Sequence, residues 1–228
     1  FNIFCKKKDM GRYNPILDNI NNTVRDDLLA EIKRGSKVSV AATCFSMYAY
    51  QELKKQLEAV ETFRFIFTSP TFIQEKAEKQ KREFYIPRLS RETSLYGTEF
   101  EIKLRNEMTQ RAIAKECADW IRRKAQFKSN TTGENMTGFM TVDTGNVQTA
   151  YTPVTGFTTV DIGCERGNNT YNMVNCIDAP FSHQYMQLFD QLWSDREKMQ
   201  DVTDVVVENI STAYAENSPE FIYFMTLY

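Results

Sequence analysis

The sequence predicts an α/β fold in which one mixed, mostly parallel sheet is flanked by helices. Its 228 residues are enough for one large domain, and 42% of them are apolar, so a sizeable core can be buried. In the first half, short apolar runs alternate with amphipathic stretches, an order of strands and helices that gives parallel pairs. In the second half, several short strand candidates are separated by turns and followed by helices. That order favours a single sheet covered by helices.

The first half contains two predicted strands, each preceded by a helix. Apolar spacing predicts an amphipathic helix over residues 17–32, and the β-branched run 38–45 is typical of a buried strand. A second helix is predicted over 47–60 and a second buried strand over 63–67, where Ser69 and Pro70 end it. Because strand, helix and strand follow one another, we expect a right-handed crossover and a parallel strand pair.

The second half begins with a strongly charged stretch at 74–94 and the longest predicted helix, 103–124. Strand candidates separated by Gly, Asn and Thr turns lie at Phe127, 136–142, 148–154, 158–162 and 173–177. Helices are predicted at 182–193, 202–214 and from Pro219 onward. These strands complete the predicted sheet, and these helices complete its cover.

The composition of the chain bears on its cellular compartment and on whether it binds a membrane or a metal. No run reaches the ~18 apolar residues that a membrane span needs, and no leader ends at a small-residue cleavage site. The five cysteines are scattered and form no CxxC pair, which disfavours a metal site or a disulfide framework and favours a reducing compartment. We therefore expect a cytoplasmic protein with no membrane partner and no bound metal. The last residues, 219–228, start like a helix and stop on an apolar run, so we expect a segment of a longer protein.

The familiar catalytic and nucleotide-binding patterns are missing from the sequence. It contains neither a GxxxxGK[ST] loop nor GxGxxG, and His183 is its single histidine. His183 falls at the start of a predicted helix, where a polar residue is expected in any case. Asp143 and Asp161 fall at predicted strand ends, where α/β sheets often carry sites, although turn aspartates are the more common reading there.

The longest predicted helix carries a concentration of basic residues. Residues 103–128 contain eight Lys and Arg against three acidic residues, so this stretch is net +5 in a chain whose net charge is −2. Arg111, Lys115 and Arg122 fall within about 40° of one another on a helical projection. Together with Arg123 they predict a nucleic-acid-binding stripe that neutralises phosphates. The alternative is an ordinary solvated helix face, and the acidic pI of 5.7 argues against a strong free-standing DNA binder.

Four segments resemble, in matching order, the N-terminal phospholipase D-like domain of bacterial Swi/Snf-type helicases of superfamily 2. The segment KLRNEMTQRAIAKECADWIRRKAQFKSN carries the resemblance best, and GSKVSVAATCFSMYAYQELKKQLE resembles the opening strand and helix of that domain. Residues 156–178 resemble its late sheet, and residues 189–228 resemble the tail that joins it to the helicase core. The resemblance covers nearly the whole chain and implies a phospholipase D-like fold.

The catalytic motif of that family is degenerate here. Active phospholipase D-type domains carry His-x-Lys-x4-Asp, in which the histidine is the nucleophile and the lysine stabilises a phosphoryl oxygen. Aligned to it, Thr137 stands for the histidine, Phe139 stands for the lysine, and Asp143 lies one place short of the aspartate. The family's later Gly-Ser-x-Asn element is replaced by residues 160–163. The resemblance therefore implies the fold without the chemistry, and no catalytic residue is expected.

The resemblance implies a non-catalytic accessory domain of an ATP-dependent DNA helicase. Residues 1–200 would form the degenerate domain, and residues 201–228 a helical tail leading to a helicase core in cis. ATP and Mg²⁺ would serve that core, with no cofactor in this chain, and DNA and a second copy are possible partners. Two alternatives stay open: an interaction or dimerisation domain that never touches DNA, and a phospholipase D-type nuclease that would have to use His183.

Overall fold

A computed structural model of the chain describes residues 16–70, 107–134, 136–167 and 172–215. The strands in this part of the chain are β1 (Ile16–Leu17), β2 (Lys37–Ala42), β3 (Thr62–Phe67), β4 (Ala125–Asn130), β5 (Phe139–Asp143), β6 (Gln148–Thr152), β7 (Val174–Asp178) and β8 (Met199–Asp201). The helices are α1 (Val24–Glu31), α2 (Met47–Glu52), α3 (Lys54–Ala59), α4 (Glu107–Lys124), α5 (Ser182–Ser194) and α6 (Thr203–Ala215). The predicted helix from Pro219 and the charged stretch 74–94 lie outside the described residues.

The strands form one sheet in the order β1-β7-β6-β5-β2-β3-β4-β8. Only β2–β3 and β3–β4 pair in parallel, and the other neighbours in this order are antiparallel. The sheet is therefore mixed, as predicted, but the prediction that it is mostly parallel is wrong. The reason is connection length: β5 and β6 are joined by a short turn over 144–147, which can link only antiparallel strands.

Strand β2 joins the two kinds of pairing at the middle of the sheet. Val38 lies opposite Phe63 in the parallel neighbour β3 and opposite Val142 in the antiparallel neighbour β5. The predicted parallel pairing of β2 and β3 is confirmed by their register, with α2 and α3 between them in the chain. All residues of β2 after Lys37 are buried, as the apolar run predicts for a central strand.

The main core lies on the face of the sheet covered by α2, α4 and α6. Alternate residues of β3 point into it, and the ring of Phe45 contacts those of Phe63, Phe65, Phe127 and Phe157 at centroid distances of 5.1 to 6.3 Å. Trp120 of α4 is fully buried there and donates its indole N–H to the Leu57 carbonyl at 2.9 Å. Burial of the indole would otherwise leave its donor unpaired, so this bond fixes where α4 sits on α3.

The opposite face carries a second, smaller core beneath α5. Its buried members are Ala41, Ile66, Phe139, Phe189 and Met199. Among the described helices, α5 is the one whose residues join this cluster. The cluster determines how α5 lies across the sheet.

Three predicted elements differ from the structure. The single helix predicted over 47–60 is divided at Leu53 into α2 and α3. The helix predicted over 17–32 begins only at Val24, because the Asp18 carboxylate accepts the backbone N–H groups of residues 20, 21 and 22 and Thr23 then caps α1. The strand predicted over 158–162 is a turn, closed by the N–H of Ile162 donating to the Thr158 carbonyl at 3.1 Å. None of the helices in the described ranges is long and apolar enough to cross a membrane.

Candidate functional site

The first candidate site is the end of the sheet where β5 begins. The last paired residues there are Ala41 and Phe139, so Thr137 lies just beyond the sheet, at the same end as Thr43. Thr43 is exposed, and both its N–H and its hydroxyl donate to the Thr155 carbonyl, at 2.9 and 2.8 Å. Thr137 and Thr155 are exposed as well. We call these three residues the threonine edge.

The backbone at the threonine edge is packed tightly. The Gly138 carbonyl oxygen accepts the Val154 N–H at 2.9 Å. A β-carbon at Gly138 would collide with the Val154 carbonyl oxygen and lie 2.8 Å from that of Ala41. A β-carbon at Gly156 would collide with the Asp161 carboxylate and lie 2.7 Å from Cys44 Sγ. Glycine at both positions allows β5 and the 155–163 loop to close against the end of β2.

Phe139 lies inside the second core. Its side chain is 3% exposed, and its ring contacts those of Tyr185 and Phe189 at centroid distances of 5.5 and 6.2 Å. The position aligned with the family's lysine therefore holds α5 against the sheet. An ammonium group there would be buried among aromatic rings, away from the solvent at the threonine edge.

Asp143 is at the opposite end of β5 from Thr137. Its carboxylate accepts the Gly145 N–H at 2.7 Å in the turn between β5 and β6, which is the role of a turn aspartate. The extended backbone from Thr137 to Asp143 spans about 20 Å. The three aligned positions, Thr137, Phe139 and Asp143, are therefore not brought together.

Asp161 has a structural role in the loop that follows β6. Its carboxylate accepts the Thr158 hydroxyl at 2.6 Å, and its carbonyl accepts the Asn19 side-chain amide at 2.8 Å. The adjoining cavity, lined by Gly156, Asp161 and Asn172 among others, has a volume of ≈ 10 Å³. That is about the volume needed for a single water molecule, so no organic ligand fits.

His183 lies in the first turn of α5, where it is exposed. The neighbouring Ser182 hydroxyl donates to the Gln148 carbonyl at 2.8 Å, at the start of β6. Gln148 pairs with Asp143, so His183 adjoins the turn end of the sheet and not the threonine edge. Among the described residues, no group of three or more His, Cys, Asp or Glu side chains is arranged to hold a metal ion.

The second candidate site is the outer face of α4. The predicted amphipathicity is confirmed: Ile113, Cys117, Trp120 and Ile121 are buried, whereas Lys115, Arg122 and Arg123 are exposed. Burial also raises the pKa of the Cys117 thiol well above its usual range, which keeps that thiol neutral.

Carboxylates pair with most of the cations on this face. Arg122 contacts Asp119 at 2.8 Å, Arg123 contacts Glu58 of α3 at 2.9 Å, and Lys54 contacts Glu116 at 2.8 Å. These six residues line an open groove of ≈ 520 Å³ between α3 and α4, with three charges of each sign. The groove is therefore locally neutral, which the helix sequence alone does not reveal because Glu58 comes from a different helix.

Lys115 and Arg111 differ from the two paired arginines. Within the described ranges, neither makes an ion pair with a carboxylate. Arg111 is half-buried, and its Nε and Nη2 atoms are buried without a hydrogen-bond partner. These two donors are unpaired but shielded from solvent, so an anion could reach them only if the side chain moved.

Sequence reasoning missed a cationic cluster under α5. Arg64 contacts Asp190 at 2.8 Å, donates to the Ser39 hydroxyl at 3.1 Å, and lies over the rings of Phe189 and Trp193. Lys128 lies 4.7 Å from the centre of the Trp193 ring and donates to the Trp193 carbonyl at 2.7 Å. Strand alternation in TFRFIF could have indicated the position of Arg64. Because side chains alternate between the two faces of a strand, Arg64 must face away from the core that holds Phe63 and Phe65.

Comparisons with known proteins do not assign the chain to a family. No protein-family model matches the sequence, and the search of curated proteins also finds no match. The resemblance to a helicase-associated domain therefore remains a hypothesis that depends on the quoted segments.

Proposed function

We propose that this chain is a non-catalytic accessory domain, with a degenerate phospholipase D-like fold, that helps an ATP-dependent DNA helicase engage DNA or regulates its motor. The observation that carries the proposal is the chemistry at Thr137 and Phe139. An exposed hydroxyl stands where the family has its nucleophilic imidazole, and a buried aromatic ring stands where it has its lysine. The α/β fold with a mixed sheet flanked by helices is compatible with such a domain.

The proposed lack of phosphodiesterase activity rests on proton and charge chemistry at this pair. A threonine hydroxyl needs a neighbouring base before it can attack phosphorus, because it is a weak nucleophile while protonated. The Thr43 and Thr155 side chains beside it in the threonine edge are hydroxyls too, and they supply no base. Without a cation at position 139, charge developing on a phosphoryl oxygen would have no counterion there.

DNA engagement is proposed for the outer face of α4, through Arg111, Lys115, Arg122 and Arg123. The pairs of Arg122 and Arg123 with carboxylates are solvent-exposed, and exposed ion pairs contribute only ~0–1 kcal/mol. A phosphate can therefore compete with Asp119 and Glu58 for these guanidinium groups. Because the groove has no net charge, binding should be weak in the isolated chain and strongest at low salt.

The test is fluorescence anisotropy with a labelled DNA duplex over a series of salt concentrations. Replacing Arg111, Lys115, Arg122 and Arg123 by Glu should weaken binding strongly. It should also reduce the slope of log K against log salt concentration by roughly 0.9 for each phosphate that the protein no longer neutralises. A second variant keeps the half-buried Arg111 and changes only the other three, because Arg111→Glu could unfold α4. The matched control carries Glu at Lys33, Arg34, Arg166 and Arg196, which are exposed cations elsewhere on the surface.

The outcomes separate the proposal from its alternatives. Binding that survives in both α4 variants as in the control would refute this surface. If neither the unaltered chain nor any variant binds DNA in a salt-sensitive way, the result would favour an interaction domain that does not touch DNA. Exposed apolar side chains at Phe181 (67%) and Leu188 (43%) support that alternative. Metal-independent DNA cleavage that disappears in His183→Ala would instead establish a nuclease.

The remaining parts of the proposal concern the parent protein. ATP and Mg²⁺ would be bound by a helicase core in cis, expected outside this chain. Residues 1–200 and 201–228 are proposed as domain and tail, although the boundary falls within β8 and α6 packs on α4 through the buried Val206 and Ile210. The proposed compartment is the cytoplasm.

A further inference from the structure

Two of the arginines on the outer face of α4 are each held by a carboxylate of the same groove. The Arg123 Nη2 group donates to both oxygens of the Glu58 carboxylate, at 2.9 and 3.2 Å, and the Arg123 Nε group donates to the Asp119 carbonyl at 3.1 Å. The Arg122 Nη1 group donates to the Asp119 carboxylate at 2.8 Å. Arginine binds phosphate through these same N–H groups, so a phosphate and a carboxylate compete for them.

The position of Glu58 is set by the packing of α3 against α4. Trp120 of α4 is fully buried and donates its indole N–H to the Leu57 carbonyl, one residue before Glu58. The Glu58 side chain is 32% exposed and that of Asp119 is 52% exposed, so solvent screens the pair of Glu58 with Arg123 less. The folded chain therefore holds a negative charge beside Arg123 before any ligand arrives.

These carboxylates contribute more to what the arginines can bind than to folding. The side chains of Arg122 and Arg123 are 49% and 59% exposed, and ion pairs in such positions add little to stability. A bound phosphate would nevertheless lie close to the carboxylates, because they contact the same guanidinium groups. Like charges at that distance repel, so the carboxylates oppose phosphate binding even after they are displaced.

We propose that Glu58 and Asp119 are autoinhibitory: they occupy the arginines of the α4 face and so restrain the affinity of the folded chain for DNA. The inference rests on the proposed function, because it assigns a regulation to the DNA-binding surface proposed there. The third pair of the groove, Lys54 with Glu116 at 2.8 Å, has the same arrangement of a cation held by a carboxylate. The surface gains affinity when its carboxylates are neutralised or moved away.

The test replaces both carboxylates by amides, in a double variant with Glu58→Gln and Asp119→Asn that we call the groove variant. The amides remove the charges and keep the side-chain shapes, and an amide oxygen at position 58 still accepts the Tyr50 hydroxyl. Because an exposed ion pair contributes at most about a fivefold factor to an equilibrium, the groove variant should bind a labelled DNA duplex about 5- to 25-fold more tightly. Its slope of log K against log salt concentration should steepen by roughly 0.9 for each further phosphate neutralised.

The matched control is a double variant with Asp26→Asn and Glu134→Gln. Both carboxylates are exposed and pair with a cation at 3.2 Å, Asp26 with Arg25 and Glu134 with Lys198. Asp26 is on α1, and Glu134 follows the end of β4 that is farther from α4. Control and groove variant each lose two negative charges, so only the place of the lost charges differs. Because salt screens charges that lie away from the bound duplex, the control should bind within about twofold of the unaltered chain.

Fluorescence anisotropy over a series of salt concentrations compares these proteins, after circular dichroism melts have shown that both double variants fold. Tighter binding by the groove variant than by the control supports autoinhibition. Equal affinity of the groove variant and the unaltered chain, with binding still weakened by Glu substitutions on α4, would overturn the inference and leave the proposed function intact. Equal strengthening in the groove variant and the control would show a general effect of net charge and would also overturn it. Absence of binding by every protein, even at low salt, would overturn the proposed DNA engagement and the inference with it.

Discussion

Replacing Gly138 by alanine should destabilise the fold, because the position lies between two backbone segments. The added methyl would collide with the Val154 carbonyl oxygen and would lie 2.8 Å from the Ala41 carbonyl oxygen. Both neighbours are main-chain atoms that cannot rotate away as a flexible side chain would. We expect β5 to shift away from β2 and the 2.9 Å bond between the Val154 N–H and the Gly138 carbonyl to break.

The expected cost follows from these contacts. Overpacking that moves backbone costs about 1–3 kcal/mol, and breaking a backbone hydrogen bond adds roughly 1 kcal/mol. Alanine restricts the unfolded chain more than glycine does, which offsets about 0.5 kcal/mol. We expect a net destabilisation of about 1.5–3.5 kcal/mol, or a fall in Tm of roughly 3–14 °C in a chain of this size.

Urea denaturation followed by tryptophan fluorescence measures this destabilisation directly, because Trp120 is in the main core. Gly133→Ala is the matched control, since a β-carbon there meets nothing within 4 Å. The control should change stability by less than about 1 kcal/mol. Equal midpoints for the two variants would show that the start of β5 is not confined between β2 and the 153–156 segment, and the tight packing inferred at the threonine edge would be wrong.

Two further predictions concern single side chains. Arg64→Met removes the ion pair with Asp190 and the contacts with Ser39 and Trp193, and it should lower the free energy of unfolding by about 1–3 kcal/mol in urea denaturation. The control is Arg196→Met, at an exposed position. An unchanged midpoint for Arg64→Met, like that of the control, would mean that the cluster contributes nothing to stability. Burial, and to a smaller extent the nearby Glu52 carboxylate, raises the pKa of the Cys164 thiol to about 12. Its alkylation rate should therefore still rise about tenfold per pH unit through pH 10. Peptide mass spectrometry measures that rate. A plateau near pH 9 would show an ordinary thiol.

Local pattern was enough to predict the central part of the fold. The apolar runs of β2 and β3 and the helical stretch between them specify a parallel crossover whatever the rest of the chain does. Phe63, Phe65 and Phe67 alternate along β3, which predicts correctly that they share the main core. The apolar side of α4 was predictable for the same reason, since helical periodicity alone places Trp120 and Ile121 together.

The direction of the later strands required information that periodicity lacks. Strand alternation predicts which residues share a face of the sheet, but it does not predict which strands are neighbours. The antiparallel pairing of β5 with β2 could therefore not be derived from either segment. The short turn between β5 and β6 was the one available signal, because Gly145 follows Thr144 between two strand candidates and indicates a hairpin. That turn favours antiparallel pairing for β5 and β6, but it leaves the pairing of β5 with β2 undetermined.

The sequence was enough to predict which cations lie on the outer face of α4, but not which carboxylates pair with them. The sequence places Arg122 and Arg123 on a solvent-facing helix side, and the structure agrees. Their pairing depends on Asp119 and on Glu58, and Glu58 comes from α3, far earlier in the chain. Contacts between helices depend on how the sheet orders them, so the electrostatic neutrality of the groove appears only in three dimensions.

The order of β8 and α6 at the end of the described chain affects how the fold responds to a pulling force. After α5 the chain adds β8 at the sheet edge, and α6 then runs back along α4, with the Arg122 guanidinium contacting Ser211 at 3.4 Å. A pulling force applied at the C-terminal end of α6 reaches β8 only through this helix, because α6 follows β8 in the chain. We therefore expect α6 to separate from α4 under tension before the sheet is strained.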